Sequence, residues 1–262
     1  MKLLSLNVWA GVLIDPLTEY LKKQAPTTDV FCFQEVIEGP EGYGDIGAGY
    51  RADTYARIKG ALPNFVPHYA PAEENISELI VPSPVPVSYG QATLVSPTFE
   101  ILEHKTIWVT DPKTQVNASN IYIRPRCMQH LAIKTPNGVI AIGNLHGVLD
   151  GGSKGDSPDR SRQFKIVADF LEQVHYPKIL CGDFNARPET KSLELLDKGM
   201  KNLIRDYDIK ITRTHWYKGL EKYNDTISDY MFVSPDIKIQ RFEVPAITEI
   251  SDHLPLVLEF SL

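Results

Sequence analysis

Four short apolar runs along the chain each end on polar residues. Residues 1–6 end at Asn7, residues 30–33 at Gln34-Glu35, and residues 139–143 at Asn144, with His146 two positions on. The fourth, residues 179–181, passes Gly182 and delivers Asp183 and then Asn185. Apolar runs of this length bounded by proline, glycine or polar residues predict buried strands. Between the first two lies Asp15-Pro16, which reads as an N-cap followed by proline at the first helical position, then a stripe of Leu17, Tyr20 and Leu21 stopped by Pro26. Between the last two, Ser157-Pro158 opens a helix carrying Phe164, Val167, Phe170, Leu171 and Val174. Strand, helix and strand thus occur twice, with Asn7 corresponding to Asn144 and Glu35 to Asp183. Two such units predict two sheets packed face to face with helices outside.

The remaining pattern fills in around these units. Residues 53–61 predict a short helix, and the proline-rich stretch 63–88 predicts long loops over a functional face. Strands are expected near 89–95, 99–109, 121–135 and 139–145, with Pro136-Asn137-Gly138 as the tight turn between the last two. Residues 212–216 read as a loop. Residues 227–233 read as a strand with Asp229 inside it, 237–244 as another, and Ser251-Asp252-His253 leads into a last strand at 256–260. No linker or low-complexity segment interrupts residues 1–262, so one domain is expected.

Composition narrows the function. A net charge of −6 gives no overall electrostatic footprint for a polyanion, which weakens a nucleic-acid reading without excluding it. Cys32, Cys127 and Cys181 lie far apart in apolar surroundings without metal-ligand spacing, as reduced core thiols do. No signal-peptide pattern and no apolar run of membrane-spanning length occurs, so a cytoplasmic, monomeric protein is expected.

The chemistry lies at the strand ends. An acid leaving a buried strand is costly unless something positive meets it; Asp183 either faces a metal and a phosphate or caps its own turn. Asn7, Glu35, Asn144, His146, Asp183, Asn185, Asp252 and His253 all fall at strand exits, and Asp229 inside a strand. Hard oxygen ligands with histidines are what metal-assisted phosphate chemistry requires.

These positions carry a resemblance. LNVW around Asn7, CFQEV around Glu35, NLHG around His146, GDFNA around Asp183, ISDYMF around Asp229 and SDHLPL around Asp252 resemble, in order, the motifs of the endonuclease/exonuclease/phosphatase (DNase I-like) superfamily. The resemblance implies an α+β fold, a four-layer α/β/β/α sandwich of two mixed sheets flanked by helices. It implies Glu35 as principal Mg²⁺ ligand, Asn7 and Asp252 near the same metal, and Mn²⁺ as a substitute. Asp183 would orient or deprotonate the attacking water, and Asn185 would contact phosphate or position the nucleophile. His253 would contact the scissile phosphate with Asp229 as its carboxylate partner, which should fix the tautomer and favour the imidazolium. His146 matches a histidine of the phosphatase, sphingomyelinase and deadenylase branches, and Asn144 would lie beside it as a substrate contact.

Two departures argue against an abasic-site nuclease: Trp9 stands where those enzymes carry an acid, and they lack the Asn144-x-His146 pattern. The expected function is a Mg²⁺-dependent phosphodiesterase or phosphatase using in-line attack of water on phosphorus. The alternatives are a DNA or RNA nuclease of the same superfamily and, less well supported because no core position is missing, a catalytically idle binding module. For the substrate, Arg124, Arg126, Lys154, Arg160 and Arg162 are candidates for a further phosphate, or else a solvated charged edge. His215-Trp216-Tyr217 offers a stacking surface or a loop anchor.

Overall fold

Successive side chains of a strand point to opposite faces, and in the first two strands both faces are buried. In strand β1 (Lys2–Asn7), Leu3 joins the core that holds Met128, Leu180 and Tyr230, while Leu4 and Leu6 join the core that holds Leu17, Leu21 and Ile58. Strand β2 (Val30–Glu38) divides in the same way, with Val30 and Cys32 on the first side and Phe31 and Phe33 on the second. Burial on two sides is why these strands read as unbroken apolar runs.

The computed structural model describes residues 1–76, 83–116, 122, 124–150, 154–220 and 225–262. After β1 come helix α1 (Ile14–Gln24), β2, α2 (Thr54–Ala61), β3 (Val66–Glu73), β4 (Ser88–Val95), β5 (Glu100–Trp108), β6 (Cys127–Thr135) and β7 (Gly138–His146). The chain continues through α3 (Pro158–Glu172), β8 (Lys178–Asp183), α4 (Glu194–Asp197), β9 (Lys201–Asn202), α5 (Leu203–Asp206), β10 (Asp229–Val233), β11 (Lys238–Glu243) and β12 (Leu256–Ser261). One six-stranded sheet has the order β11-β12-β1-β2-β4-β3 and the other β5-β6-β7-β8-β10-β9. Helices α1 and α2 cover the outer face of the first sheet through Leu17, Tyr20, Leu21, Tyr55 and Ile58, and α3 covers the second through Phe164, Val167 and Leu171. This is the expected four-layer α/β/β/α sandwich, with two mixed sheets. Among the described residues no helix is long and apolar enough to cross a membrane.

The repeated unit is visible as two parallel pairs, β1 with β2 and β7 with β8, each joined through one helix. Its internal equivalence differs from the expectation. Asn7 ends β1 and His146 ends β7, so Asn7 corresponds to His146, and Asn144 sits a step deeper. Glu35 is not at a strand end either, because β2 runs on to Glu38.

Other boundaries moved for identifiable reasons. Much of 63–88 was expected as loop, yet β3 forms there; its Pro67 and Pro71 are tolerated because β3 is the sheet edge. Helix α1 starts at Ile14 with Leu13 as N-cap, so Asp15 lies in the first turn and does not cap. Ser157 caps α3 as expected, accepting a hydrogen bond from Arg160 N at 3.1 Å. Strand β6 begins at Cys127, leaving Arg124 and Arg126 just before it; residues 77–82, 121 and 123 of the predicted segments lie outside the described residues. Thr135 pairs with Gly138, which confirms the tight turn.

Candidate active site

Two devices bring the polar residues to one place. The first is strand parity: Leu3, Ser5 and Asn7 alternate onto the seam between the sheets, as do Cys181 and Asp183, so the C-terminal ends of β1 and β8 meet there. Asn7 Nδ2 donates to Asp183 Oδ2 at 3.2 Å across that seam. The second is a β-bulge. Phe33 pairs with Ala92 but Val36 with Gly90, so one residue is inserted in β2 near Glu35, and Glu35 has φ 58°. A bulge re-aims a side chain; here Val36 recovers the helix-facing position and Glu35 turns to within 3.7 Å of His146 Nε2. Trp9 (φ 50°) and Asn185 (φ 50°) also hold left-handed conformations beside the site, and such strain collects where surrounding structure imposes geometry.

Asp183 is the hub. Its Oδ1 accepts from Asn185 N at 2.9 Å, the turn-capping bond, while Oδ2 faces Asn7, Arg213 Nη2 (3.6 Å) and His253 Nε2 (3.6 Å). Both readings offered for Asp183 are therefore present in one carboxylate: one oxygen caps, the other faces the site. Asn185 is held by its Nδ2 donating to Gly147 O at 3.1 Å. Antiparallel pairing sets Asp229, the first residue of β10, opposite Asp183. Asp229 accepts from Thr212 Oγ1 at 2.7 Å and lies 2.9 Å from His253 Nδ1.

The protonation states follow. Burial raises the Asp229 carboxyl to about 6, so it remains ionised at neutral pH. Burial, and then the Arg213 charge, lower the His253 imidazole to about 3. His253 is thus neutral, donating Nδ1–H to Asp229 and accepting at Nε2 from Arg213 Nη1. The expected tautomer is present, but the expected imidazolium is not: desolvation and a guanidinium outweigh one carboxylate. His146 is likewise lowered, by burial and by Arg126 and Arg124. Arg126 Nη1 donates to its Nδ1 at 2.9 Å, which puts the ring proton on Nε2.

Two sets of ligand-capable atoms gather within 4.8 Å of one another: Glu35, His146 and Asp183, and Asp183, Asp229 and His253. Asp252 falls in neither set. Its Oδ2 faces Arg213 Nη1 at 3.3 Å, while its Oδ1 is buried without a hydrogen-bond partner. Burial raises this carboxyl.

Several candidates take other roles. Asn144 is fully buried: its Oδ1 accepts from Gln34 Nε2 (2.7 Å) and its Nδ2 donates to Phe33 O (3.1 Å), so the predicted substrate contact is instead a tie between the sheets. Arg124 is paired with Glu73 at 2.7 Å over the Tyr89 ring, and Arg126 serves His146, so neither forms a solvated edge. Arg160 is buried on the carbonyls of Gly155 and Val148, and Arg162 pairs with Asp159 on the surface. Trp216 is exposed and tilts against Trp9, ring centroids 6.4 Å apart, at the rim beside Asn7.

Sequence reasoning missed Arg213, the cation between Asp183, Asp252 and His253. It sits in a polar loop with no spacing signal, and only its β-bridge to His253 brings it in. Lys154 is also deeper than expected, 1 % exposed, its ammonium over the Tyr217 ring at 4.7 Å. Burial, and secondarily Arg213, lower its pKa from 10.5 to about 8. The unfolded chain therefore binds more protons between those values, and stability rises with pH across them, by up to roughly 3 kcal/mol. Urea titrations from pH 7.5 to 10.5 should show this rise in the wild type and not in Lys154→Met; equal slopes would refute it.

These residues gather around Asp183 where the two sheets meet. The sequence matches the Endonuclease/Exonuclease/phosphatase family over residues 4–253, and the chain belongs to that family. A search of curated proteins gives no match. Among solved structures, the fold is similar to a mannosyl-6-phosphatase of Bacteroides thetaiotaomicron (17% identity, 100% of both chains covered, TM-score 0.72). It is similar also to the human Nocturnin catalytic domain with bound sulfate (18% identity, 100% of this chain and 93% of that one, TM-score 0.68). A third relative in fold is an endonuclease/exonuclease/phosphatase from Bacteroides vulgatus (15% identity, 100% and 98% covered, TM-score 0.71).

Proposed function

We propose that the protein is a divalent-metal-dependent phosphoester hydrolase in which Asp183 aligns water for in-line attack on phosphorus. The observation that carries this reading is the convergence on Asp183: one oxygen is pinned by Asn185 N, and the other faces Asn7, Arg213 and His253. A pinned carboxylate with one working oxygen is suited to orient a water and take its proton as the new P–O bond forms and the ester P–O bond breaks. His146, whose Nε2–H points out from the Arg126 contact, is placed to donate to a phosphoryl oxygen, and His253, held by Asp229, offers Nε2 as an acceptor.

The donor set fits a hard cation. Glu35 and Asp252 supply carboxylate oxygens, the buried Asp252 Oδ1 has no hydrogen-bond partner, and Asn7 lies beside Asp183. His146 does not fit as a ligand, because a ligating imidazole donates its second nitrogen's proton, whereas His146 Nδ1 accepts from Arg126. Bound there, a Mg²⁺ or Mn²⁺ ion supplies charge neutralisation at the phosphoryl group.

A panel of a chromogenic monoester and diester, DNA, RNA, inositol phosphates and a sphingophospholipid, with Mg²⁺, Mn²⁺ or EDTA, tests the reading. Hydrolysis should vanish in EDTA and return with Mg²⁺, and Glu35→Gln should need at least about tenfold more metal for half-activation. Hydrolysis indifferent to EDTA, or cleavage of no ester with either metal, would overturn it. The half-buried Trp9 against the exposed Trp216 supports a planar or apolar leaving group, and cleavage confined to DNA or RNA would make the protein a nuclease.

A further inference from the structure

Lys154 is buried for a reason that is not its own side chain. Its carbonyl accepts from Arg187 N (2.9 Å) and Thr190 Oγ1 (3.0 Å), which ties its backbone to the segment leaving β8 and Asp183. The ammonium is carried inward with it. There Nζ is buried without a hydrogen-bond partner, with the Tyr217 face beneath it. Arg213, 5 % exposed, lies over the same ring at 4.1 Å, and its buried Nε also lacks a partner. Its Nη1 donates to His253 Nε2, while its contacts to Asp252 (3.3 Å) and Asp183 (3.6 Å) are longer than good charge-assisted hydrogen bonds.

Two cations on one aromatic floor repel each other, and burying an ammonium with nothing to bond costs several kcal/mol. Arg213 depresses the Lys154 charge, whereas Asp183, Asp225 and Asp229 support it, and the backbone tie to the segment after Asp183 sets Lys154 beside the same cluster. Such an arrangement is stable on balance only if something else requires it. An anion seated between the two side chains supplies what both lack.

Resting on the phosphoester reading above, we propose that Lys154 and Arg213 form a metal-independent receptor for a terminal phosphoryl group, which makes the natural substrate a phosphate monoester. A terminal phosphoryl group offers three acceptor oxygens and close to two negative charges at neutral pH. A diester offers one charge and only two unsubstituted oxygens, since the other two carry substituents. Both cations are buried, so the oxygens they hold would be ones that carry no second ester arm. Arg213 engages one oxygen from within the Asp183–Asp252–His253 cluster, and Lys154 engages another from its place on the Tyr217 ring. Arg213 would thus contact the reacting phosphoryl group directly.

The test is a calorimetric titration of metal-free, desalted protein at pH 7 with inorganic phosphate and with dimethyl phosphate. Wild type should bind phosphate without metal and bind dimethyl phosphate at least about tenfold more weakly, and Lys154→Met and Arg213→Gln should each weaken phosphate by at least about tenfold. Lys154→Met, which removes an unpaired buried charge, should melt no lower than wild type, so its loss of binding reads the receptor and not the fold. No metal-independent phosphate binding, equal affinity for dimethyl phosphate, or unchanged phosphate binding by Lys154→Met would each overturn the proposal. The outcome separates from that of the hydrolase reading. Metal-dependent hydrolysis with a silent titration keeps the hydrolase and removes the receptor; phosphate binding with no ester cleaved by any metal does the reverse.

Discussion

Asp183→Asn should lower kcat for phosphoester hydrolysis by about 10²–10⁴-fold, the range for losing a positioned general base, while the melting transition stays close to wild type. The substitution is isosteric. An amide oxygen at the Oδ1 position still accepts from Asn185 N, so the turn after β8 keeps its cap. What changes is the oxygen facing Asn7, Arg213 and His253, which becomes an amide nitrogen and can neither take a proton nor attract a cation. KM should move far less than kcat, because Arg213 and Lys154, the proposed phosphoryl contacts, remain. Steady-state kinetics with Mg²⁺, alongside thermal melts, check both halves. An Asn variant with near-wild-type kcat would take Asp183 out of the chemistry.

The second large effect is structural. Gly182→Ala should destabilise the fold by roughly 4 kcal/mol, adding an overpacking cost to a backbone cost. A Cβ at Gly182 would stand 2.0 Å from Leu145 O, and Gly182 has φ +132°. The carbonyl cannot retreat, since Leu145 is the β7 partner of Gly182 in the parallel pair at the centre of the second sheet. The flanking residues are His146 and Asp183, so whatever shift relieves the clash moves the site. Urea unfolding reads the loss of stability; a variant within 1 kcal/mol of wild type would refute it.

Most of the fold was legible because buried strands and capped helices leave strong patterns. Residues 30–33 and 179–181 announce themselves as doubly buried strands, and Ser157-Pro158 announces α3. What escaped depended on tertiary context. Strand β3 carries two prolines that argue against a strand anywhere except at an edge, and nothing local says where the edge is. The site was legible as a set of residue types but not as a geometry. Glu35 reads as the end of a strand because a single inserted residue is invisible in an apolar run. Asn144 has the same chemistry as Asn7, but its depth in the seam, which period alone cannot give, turns its amide to the sheets. Arg213 lies 30 residues after Asp183 and 40 before His253 in sequence, and no motif of its own announced it. The charge state of His253 was misjudged for the same reason, since it depends on that arginine.

The tie between Gln34 and Asn144 lies directly behind the site and joins the two halves from which it is assembled. An oily interface would let one sheet glide past the other with little change in contact energy, and a step of one residue is about 3.3 Å. Hydrogen bonds have no such indifference: Asn144 reaches Gln34, Phe33 O and Thr93 Oγ1 in one alignment only. The pair therefore works as an alignment pin. It fixes the distance between Glu35 on one sheet and Asp183 on the other, so that the spacing of the reactive groups is a property of the seam and not of the loops around it.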